Sequence, residues 1–268
     1  MEATVRPEAI TIRATDGSIV KLEHFDALSS TLDKARLYAR SGVPDRYVVF
    51  TDKAIDEDGN ITEGLYMSLI LRPSLFASQT SLLGAMSATA FVTALEEHTS
   101  KRLGLGWVSD LYCEGALIGG VSIEGKLDSH MGYEYLIVTF SAKLDKKAFP
   151  PRLTDMIRKV FESNNTSISM IIGKGVLNNF LAFYQTLKTS TKFMEIYTKK
   201  FILRGTRIWH TVDGKRHYRK ILGVDTKTGA LILEGKRGRK DGISAADSRI
   251  FVASPSSVLM PKRVKIKD

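Results

Sequence analysis

The residues best suited to chemistry lie in residues 105–125, LGWVSDLYCEGALIGGVSIEG. This segment indicates two apolar strands joined by a short polar turn, with Asp110 on the first strand and Gly119 and Gly120 on the second. A carboxylate at Asp110 can hold Mg²⁺ or a ribose hydroxyl, and it can equally well cap a strand end. The two glycines either admit a ligand close to the backbone or relieve a β-bulge. The segment contains no lysine, arginine or histidine, so it indicates the floor of a site without positive charge.

A second group of candidates begins the helix indicated by LSSTLDKARLYARSG, residues 28–42. Ser30 or Thr31 is suited to the N-cap, because a side-chain oxygen there accepts a hydrogen bond from a backbone N–H of the first turn. Gly42 is suited to the position after the last turn, where glycine tolerates the left-handed conformation. Both hydroxyl residues therefore have a structural explanation that requires no ligand.

The surrounding segments indicate a sheet and several helices. Short apolar or alternating runs predict strands at AITIRA, SIVKLEHF, RYVVFT, LYMSLILRP and YEYLIVTFSAKL. Longer runs predict helices at residues 79–103 and 176–197, and a further helix that starts at Pro150. The polar residues 52–63 predict a loop with a turn at Asp58. We therefore expect an α+β fold with a mixed, mostly antiparallel sheet and helices on one side of it.

Charge is distributed unevenly along the chain, whose formal net charge is +10. From Lys199 onward there are eighteen basic and six acidic residues, whereas acidic residues slightly outnumber basic ones before it. The short strands and turns after Lys200 are spaced as in a small β-barrel. We therefore expect two domains, residues 1–198 and residues 199–268, of which the second is basic and all-β.

Composition argues against several classes of protein. The single cysteine, Cys113, cannot form an internal disulfide, and no pair of the five histidines has the spacing of metal ligands. No apolar run approaches the roughly 18 residues needed to span a bilayer, and the start MEATVRPEAI lacks the apolar core of a secretory signal. We expect a cytoplasmic protein with no metal site and no membrane association.

Three strings, taken in order, resemble the biotin protein ligase branch of the biotin/lipoate protein ligase family. FDALSSTLDKA is similar to an acidic strand end followed by Ser-Thr-Asn at a helix start, with Leu32 in place of the asparagine. EGLYMSLILRP is similar to the family's Gly-Gly-Leu-Tyr-Leu-Ser-Leu strand. Residues of the opening segment align without a gap with the family's Lys-Trp-Pro-Asn-Asp hairpin, namely Trp107, Asp110, Tyr112, Gly120 and Glu124. RGTRIWH, ILGVDTKTGALIL and SRI look like the family's C-terminal domain.

The resemblance implies a class II synthetase-like fold with a small C-terminal barrel. It implies a reaction that joins biotin and ATP, with Mg²⁺, into biotinyl-adenylate and then passes the acyl group to a lysine of a carrier protein. It also implies roles for the candidates: Asp110 as the catalytic carboxylate, with Ser30, Thr31, Trp107, Gly119 and Gly120 binding substrate. Trp107 is equally explained as a core residue. Family members often form homodimers, and too few residues precede the Ser-Thr string for a helix-turn-helix domain, so a repressor role is not expected.

The resemblance fails at the positively charged positions. The reaction brings a carboxylate and a triphosphate together and therefore needs fixed positive charge. The family supplies it with a Gly-Arg-Gly-Arg-Arg-Gly-Arg loop and a lysine on the second hairpin strand. The loop corresponds here to residues 52–63, which contain five acidic residues and one lysine, Lys53. The hairpin lysine corresponds to Leu117, the lysine before the tryptophan to Gly106, and a later asparagine to Ser141.

Two functions follow from this comparison. In the first, the protein still adenylates biotin or a related small acid, and Lys53 or a C-terminal basic residue supplies the charge. In the second, it is a pseudoenzyme that holds a small acid or an acidic biotin carrier domain. The acidic residues 52–63 favour the second. A third function is a basic adaptor for acidic protein or nucleic acid through GKRGRKDG, residues 235–242, which equally fits a solvated loop. Few aromatic residues interleave with these basic residues, which disfavours nucleic acid.

Overall fold

The computed structural model describes residues 7–75, 80–99, 101–144, 167–187, 189, 192–212, 215–235 and 239–243. Eight strands form the larger of two sheets: β1 (Glu8–Arg13), β2 (Ile19–His24), β3 (Tyr47–Ile55), β4 (Ile61–Leu71), β5 (Leu103–Leu105), β6 (Asp110–Cys113), β7 (Ala116–Leu127) and β8 (Tyr133–Lys143). Their order is β1-β2-β3-β4-β8-β7-β6-β5. Only β2 and β3 pair in parallel in this sheet, so it is mixed and mostly antiparallel, as predicted.

Helices cover both faces of this sheet within the described ranges: α1 (Thr31–Arg40), α2 (Leu83–Glu96), α3 (Ile168–Gln185) and α4 (Lys192–Lys200). Ala35 of α1 packs against Val49 on one face. Phe50 lies on the opposite face, in the larger core cluster with the other three helices. The expectation of helices on one side is therefore wrong. The reason is that β3 carries consecutive buried apolar residues, and because side chains alternate across a strand, such a run must be covered from both sides.

The predicted caps of α1 are confirmed. The Ser30 side chain accepts a hydrogen bond from the backbone N–H of Asp33 at 3.0 Å, which makes Ser30 the N-cap. Gly42 follows the helix with a φ of 85°, the left-handed conformation that glycine adopts without a Cβ clash. The direction in which the chain enters and leaves α1 is thus set by local sequence.

Residues 52–63 form a tight β-hairpin between β3 and β4, and the prediction of a polar loop there is wrong. The strands pair as far as Ile55 and Ile61, leaving only a short turn between them. The Asp56 carboxylate accepts hydrogen bonds from the backbone N–H groups of Asp58 at 3.0 Å and Asn60 at 2.8 Å. Gly59 has a φ of 81°. The polar composition of residues 52–63 did not indicate the strand pairing, because an exposed hairpin end can carry charged residues on both strands.

The helix predicted at residues 176–197 is two helices, α3 and α4, and the helix predicted at 79–103 is shorter. α2 ends at Glu96, and the chain then forms β5, the edge strand beside the hairpin of β6 and β7. The helix expected after Pro150 lies outside the described residues. None of the described helices is both long and apolar enough to cross a membrane.

A separate four-stranded antiparallel sheet follows: β9 (Arg207–Val212), β10 (Lys215–Val224), β11 (Leu231–Glu234) and β12 (Lys240–Ile243), in the order β12-β11-β10-β9. The chain reaches it by passing beside β5, where the Ile202 N–H donates to the Leu105 carbonyl at 3.0 Å. The α+β class with a further β unit is therefore confirmed. The string SRI, which the resemblance placed in the C-terminal domain, lies outside the described residues, and the boundary at residue 198 stays a prediction.

Candidate functional site

The hairpin of β6 and β7 forms as the sequence indicates. Its turn consists of Glu114 and Gly115, both with positive φ (50° and 83°), the backbone twist that two-residue hairpin turns require. The Glu114 side chain accepts a hydrogen bond from the Arg102 backbone N–H at 2.7 Å, which fixes the turn against the strand before it. The hairpin thus holds Asp110 at its open end, next to the segment that leaves β5.

Asp110 is partly buried beside apolar and backbone groups. Burial raises the pKa of its carboxyl group. Burial also raises the pKa of the Tyr112 hydroxyl to about 12, with a further contribution from Asp110. Tyr197, on α4, donates to the carbonyls of Gly106 (3.1 Å) and Val108 (2.9 Å), which holds the segment before Asp110 in place. No cationic side chain among the described residues forms an ion pair with Asp110.

The described residues around Asp110 form no ready-made cluster of metal ligands. Nowhere in the described ranges do three His, Cys, Asp or Glu side chains come together as metal ligands. Mg²⁺ at nucleotide sites is usually held by one or two carboxylates together with substrate phosphates, and Asp110 would supply one such carboxylate.

Trp107 joins the hairpin to the C-terminal sheet. Its side chain is 8% exposed, and its indole Nε1 donates to the carbonyl of Gly229 at 3.0 Å. Gly229 lies in the turn between β10 and β11, close to Leu82 at the start of α2. Trp107 is therefore packed between the two sheets, and its role as a pocket wall stays a prediction.

Gly119 and Gly120 lie where neighbouring strands approach too closely for a side chain. A Cβ atom at Gly119 would be 1.9 Å from the Ser141 carbonyl oxygen on β8. One at Gly120 would be 2.8 Å from the carbonyl oxygen of Ser109. The register of β6 and β7 also shifts beside these residues, between Leu111 and Tyr112. The β-bulge, which the sequence allowed as the alternative to a ligand site, is thus present. The close contacts between strands are enough to explain why both positions are glycine.

The hydroxyl of Thr31 belongs to a buried chain of hydrogen bonds. Ser68, on β4, donates to Thr31 Oγ1 at 2.9 Å, and its oxygen is 2.9 Å from Thr139 Oγ1 on β8. Thr31 is 6% exposed and Ser68 is fully buried. Together with the Ser30 cap, this chain fixes the N-terminus of α1 over the centre of the sheet. Sequence reasoning missed it, because its members are distant in sequence and join only through sheet pairing.

Two further charged contacts were also missed. Arg36 of α1 makes a bidentate ion pair with Glu124 of β7, at 2.7 and 2.6 Å, and contacts Asp33 as well. His24 Nε2 lies 3.9 Å from the Asp52 carboxylate, which raises the pKa of His24. Burial opposes ionisation of Asp52, but the contacts with His24 and Ser167 and the charge of Lys53 together lower its carboxyl pKa. Neither contact has a spacing that the sequence could reveal.

At the positions that correspond to the family's basic residues, Lys53 is the one cationic side chain. Leu117 is 38% exposed on β7, and Ser141 lies on β8 opposite Gly120. Lys53 is exposed on β3 and pairs in register with Glu63. At the tip of the same hairpin, the hydrogen bonds from Asn60 lower the pKa of Asp56. The tip is therefore anionic at neutral pH.

No profile of a known protein family matches the chain. Individual known proteins are similar to it in sequence. The chain is 25% identical over 236 residues to the bifunctional ligase/repressor BirA of Bacillus subtilis, covering 84% of this chain and 72% of that protein. It is 24% identical over 232 residues to BirA of Bacillus spizizenii, covering 82% and 71%.

Solved structures share the fold. A variant of the biotin protein ligase from Aquifex aeolicus in complex with biotin has a TM-score of 0.64 at 18% identity, over 86% of this chain and 97% of that one. The same ligase in complex with biotin and ATP has a TM-score of 0.61 at 17% identity, over 86% and 98%. A biotin protein ligase-like protein of unknown function from Silicibacter has a TM-score of 0.62 at 16% identity, over 84% and 94%. In sequence this chain is similar to the BirA proteins, and in fold it is similar to biotin protein ligases, in agreement with the resemblance to the biotin/lipoate protein ligase family.

Proposed function

We propose that this protein is a member of the biotin/lipoate protein ligase family that binds biotin or a related small carboxylic acid and is impaired in ATP-dependent adenylation. The observation that carries the proposal is the hairpin of β3 and β4. The turn of this hairpin is short and rich in carboxylates, and hydrogen bonds to the Asp56 side chain hold it together. The resemblance places an arginine-rich loop at the same position.

Adenylation brings two anions together, so the electrostatic potential at the site decides the rate. A single well-placed donor of positive charge or hydrogen bonds contributes about 10²- to 10³-fold. Here Leu117 replaces one such group. The Asp56 carboxylate, whose pKa is lowered further by hydrogen bonds from Asn60, adds negative charge at neutral pH. Like charge near a triphosphate raises the free energy of the bound state.

Two described cations near these elements are poorly suited to replace an arginine loop. Arg36 is held by Glu124 and Asp33 and would have to give up these contacts to reach a phosphate. Lys53 is exposed on β3, opposite the acidic Glu63 in the hairpin register. The acidic residues around Lys53 favour impaired adenylation over the alternative in which Lys53 supplies the missing charge.

The framework that would hold an uncharged part of a small acid is intact. The N-terminus of α1 is capped by Ser30, fixed by the buried hydroxyls of Thr31 and Ser68, and oriented toward the sheet. The Aquifex relative in complex with biotin shares this fold. We therefore assign ligand contact to Ser30 and Thr31 with Trp107, Asp110, Gly119 and Gly120 as part of the proposal. ATP and Mg²⁺ are not required for it.

The test is calorimetric titration of biotin into the protein with and without MgATP, together with biotin-dependent ATP–pyrophosphate exchange. We expect saturable heat with biotin, an affinity changed less than about 2-fold by MgATP, and no exchange above a protein-free control. Biotin binding that MgATP strengthens about 10-fold or more, or measurable exchange, would show that adenylation is retained.

Two variants make the outcome specific. Ser30→Asp keeps an N-cap oxygen and hence the melting temperature, but it adds a negative charge beside the assigned ligand and should weaken biotin binding. Leu117→Lys restores a lysine at an exposed position without overpacking the core. If adenylation is lost only because charge is missing, this variant should gain exchange activity that the unmodified protein lacks.

A further inference from the structure

Strands β9 and β10 of the C-terminal sheet carry aromatic and cationic side chains on one face. In the antiparallel register, Trp209 lies opposite Tyr218, and Arg207 lies opposite Lys220. Residues directly opposite each other share a face of the sheet, as do residues two apart on one strand. Arg207, Trp209, Tyr218 and Lys220 therefore form one continuous surface, which we call the aromatic face.

The two rings of the aromatic face are exposed and in contact. Their centroids are 5.0 Å apart with an angle of 35° between the planes, and the exposed fractions are 41% for Trp209 and 37% for Tyr218. The guanidinium carbon of Arg207 lies 5.9 Å from the centroid of the Tyr218 ring. A cross-strand pair of rings stabilises a sheet by itself, but that purpose does not require either ring to remain open to solvent.

The opposite face of the same strands forms the core. Ile208, His210 and Ile221 are all buried there, with exposed fractions of 1%, 2% and 1%. The aromatic face is therefore not needed for packing against the rest of the described chain. Beside it lies a surface depression of about 270 Å³, lined by Arg207, His217, Tyr218, Arg219, Glu234 and Gly235.

The aromatic face is also positively charged. Lys240, on strand β12 of the same sheet, adds to the positive charge of Arg207 and Lys220. Among the described residues of these strands, Glu234 is the carboxylate on this side, 3.6 Å from Arg207. Cations thus outnumber carboxylates on a surface whose centre is two exposed rings.

We propose that the aromatic face binds single-stranded nucleic acid, with bases stacked on Trp209 and Tyr218 and phosphates near Arg207 and Lys220. Stacking on exposed aromatic side chains within a basic groove is how such strands are held without sequence preference. An acidic protein surface would be recognised by the cations but would not need the rings. The cross-strand pairing supplies the interleaved aromatic residues that residues 235–242 lack, so the expectation that disfavoured nucleic acid does not apply to this face.

The test uses the full chain and a twelve-nucleotide oligothymidylate, compared with an abasic oligomer of the same length. The chain has two tryptophans, and Trp107 is buried, so quenching of the exposed tryptophan reports on Trp209. We expect quenching on titration with oligothymidylate, weakening of binding as salt rises, and at least about 10-fold weaker binding of the abasic oligomer.

Matched variants separate stacking from charge, measured by anisotropy of a labelled oligomer. Trp209→Phe keeps a ring and should hold affinity within about 3-fold, whereas Trp209→Leu should weaken it about 10-fold. Lys220→Ala should weaken binding and reduce its salt dependence, whereas Lys21→Ala, an exposed position on β2 of the larger sheet, should change neither. Fluorescence of Trp107 shows that each variant is folded.

Three results would overturn the proposal. One is equal affinity for the abasic oligomer, which would mean recognition of charge alone. Another is tighter binding of polyglutamate than of oligothymidylate, which would indicate an acidic protein partner. The third is absence of binding at low salt by a folded protein. None of these results bears on biotin binding, so this inference and the proposed function can fail separately.

Discussion

The carbonyl oxygen of Ser141 determines which residue can occupy position 119. A Cβ atom there would be 1.9 Å from that oxygen and 2.7 Å from Ala142 Cα, both backbone atoms of β8. Backbone atoms cannot turn away as a flexible side chain can, so any side chain at Gly119 must separate β7 from β8. At the scale of single residues, the glycines are therefore explained by strand contacts whether or not a ligand binds near them.

We predict that Gly119→Ala destabilises the protein by about 2 kcal/mol or more, because it overpacks two paired strands. Gly175→Ala is the matched control. It lies inside α3, where a Cβ would be 3.4 Å from Ala94 Cβ, and it should stabilise by about 0.5–1 kcal/mol through lower chain entropy. Urea unfolding measures both. If Gly119→Ala abolished biotin binding at unchanged stability, the glycine would serve the ligand rather than the sheet.

At the scale of elements, the hairpin of β9 and β10 places two histidines opposite each other. His210 and His217 lie opposite each other, with ring centroids 5.5 Å apart. Burial of His210 lowers its pKa, and so do Arg219 and His217, whereas Asp241 on β12 acts in the opposite direction. His210 is 2% exposed and its ring nitrogens have no hydrogen-bond partner among the described residues. It is therefore held neutral in the folded protein.

We predict that His210 makes the protein less stable in mild acid. Because the pKa of His210 is lower in the folded protein, the unfolded chain binds the proton at a higher pH. The stability that neutral His210 contributes is therefore complete above the unfolded pKa of about 6.5 and decreases as pH falls below it. His24 has a raised pKa, so its contribution to the folding stability changes with pH in the opposite direction. The comparison is therefore the change in unfolding free energy between pH 7.5 and 5.5 for the unmodified protein and for His210→Leu.

The unmodified protein should lose more stability over that interval than His210→Leu, by at most about 1.4 kcal/mol per pH unit. His24 is present in both proteins, so its contribution cancels in the difference. Equal losses would mean that His210 is protonated in the folded state or does not titrate in this range.

At the scale of the whole molecule, the two sheets share one apolar core. Leu82, Trp107, Ile221 and Leu233 all belong to the same buried cluster. The indole of Trp107 adds a hydrogen bond to Gly229 across this contact. The parallel bridge between Leu105 and Phe201 supports the chain where it passes from one sheet to the other. The C-terminal sheet is thus packed against the hairpin that carries Asp110.

We predict that Trp107→Phe destabilises the protein by about 1–3 kcal/mol, since it removes a buried hydrogen bond and leaves unfilled volume between the sheets. Trp209→Phe, an identical change at an exposed position, should cost less than about 0.5 kcal/mol. Denaturant unfolding of the two variants gives the comparison. Equal effects would show that Trp107 does not stabilise the contact between the sheets.

The sequence by itself predicted the features that depend on neighbouring residues. The N-cap at Ser30, the glycine after α1, the hairpin of β6 and β7 and the apolar strands all follow from local conformational preference and alternation. The order of three short strings along the chain was enough to indicate the resemblance to the biotin/lipoate protein ligase family. The loss of basic residues at Leu117 and in residues 52–63 was also visible, since residue type needs no structure.

Only the tertiary structure decided which distant groups meet. Sheet pairing joins Ser68 to Thr31, Glu124 to Arg36 and Trp209 to Tyr218, and none of these pairs has a characteristic spacing. Residues 52–63 form a hairpin instead of the expected loop, because strand pairing can override polar composition at an exposed hairpin end. Local sequence fixes the direction of each element, whereas contact between elements depends on the packing of the whole sheet.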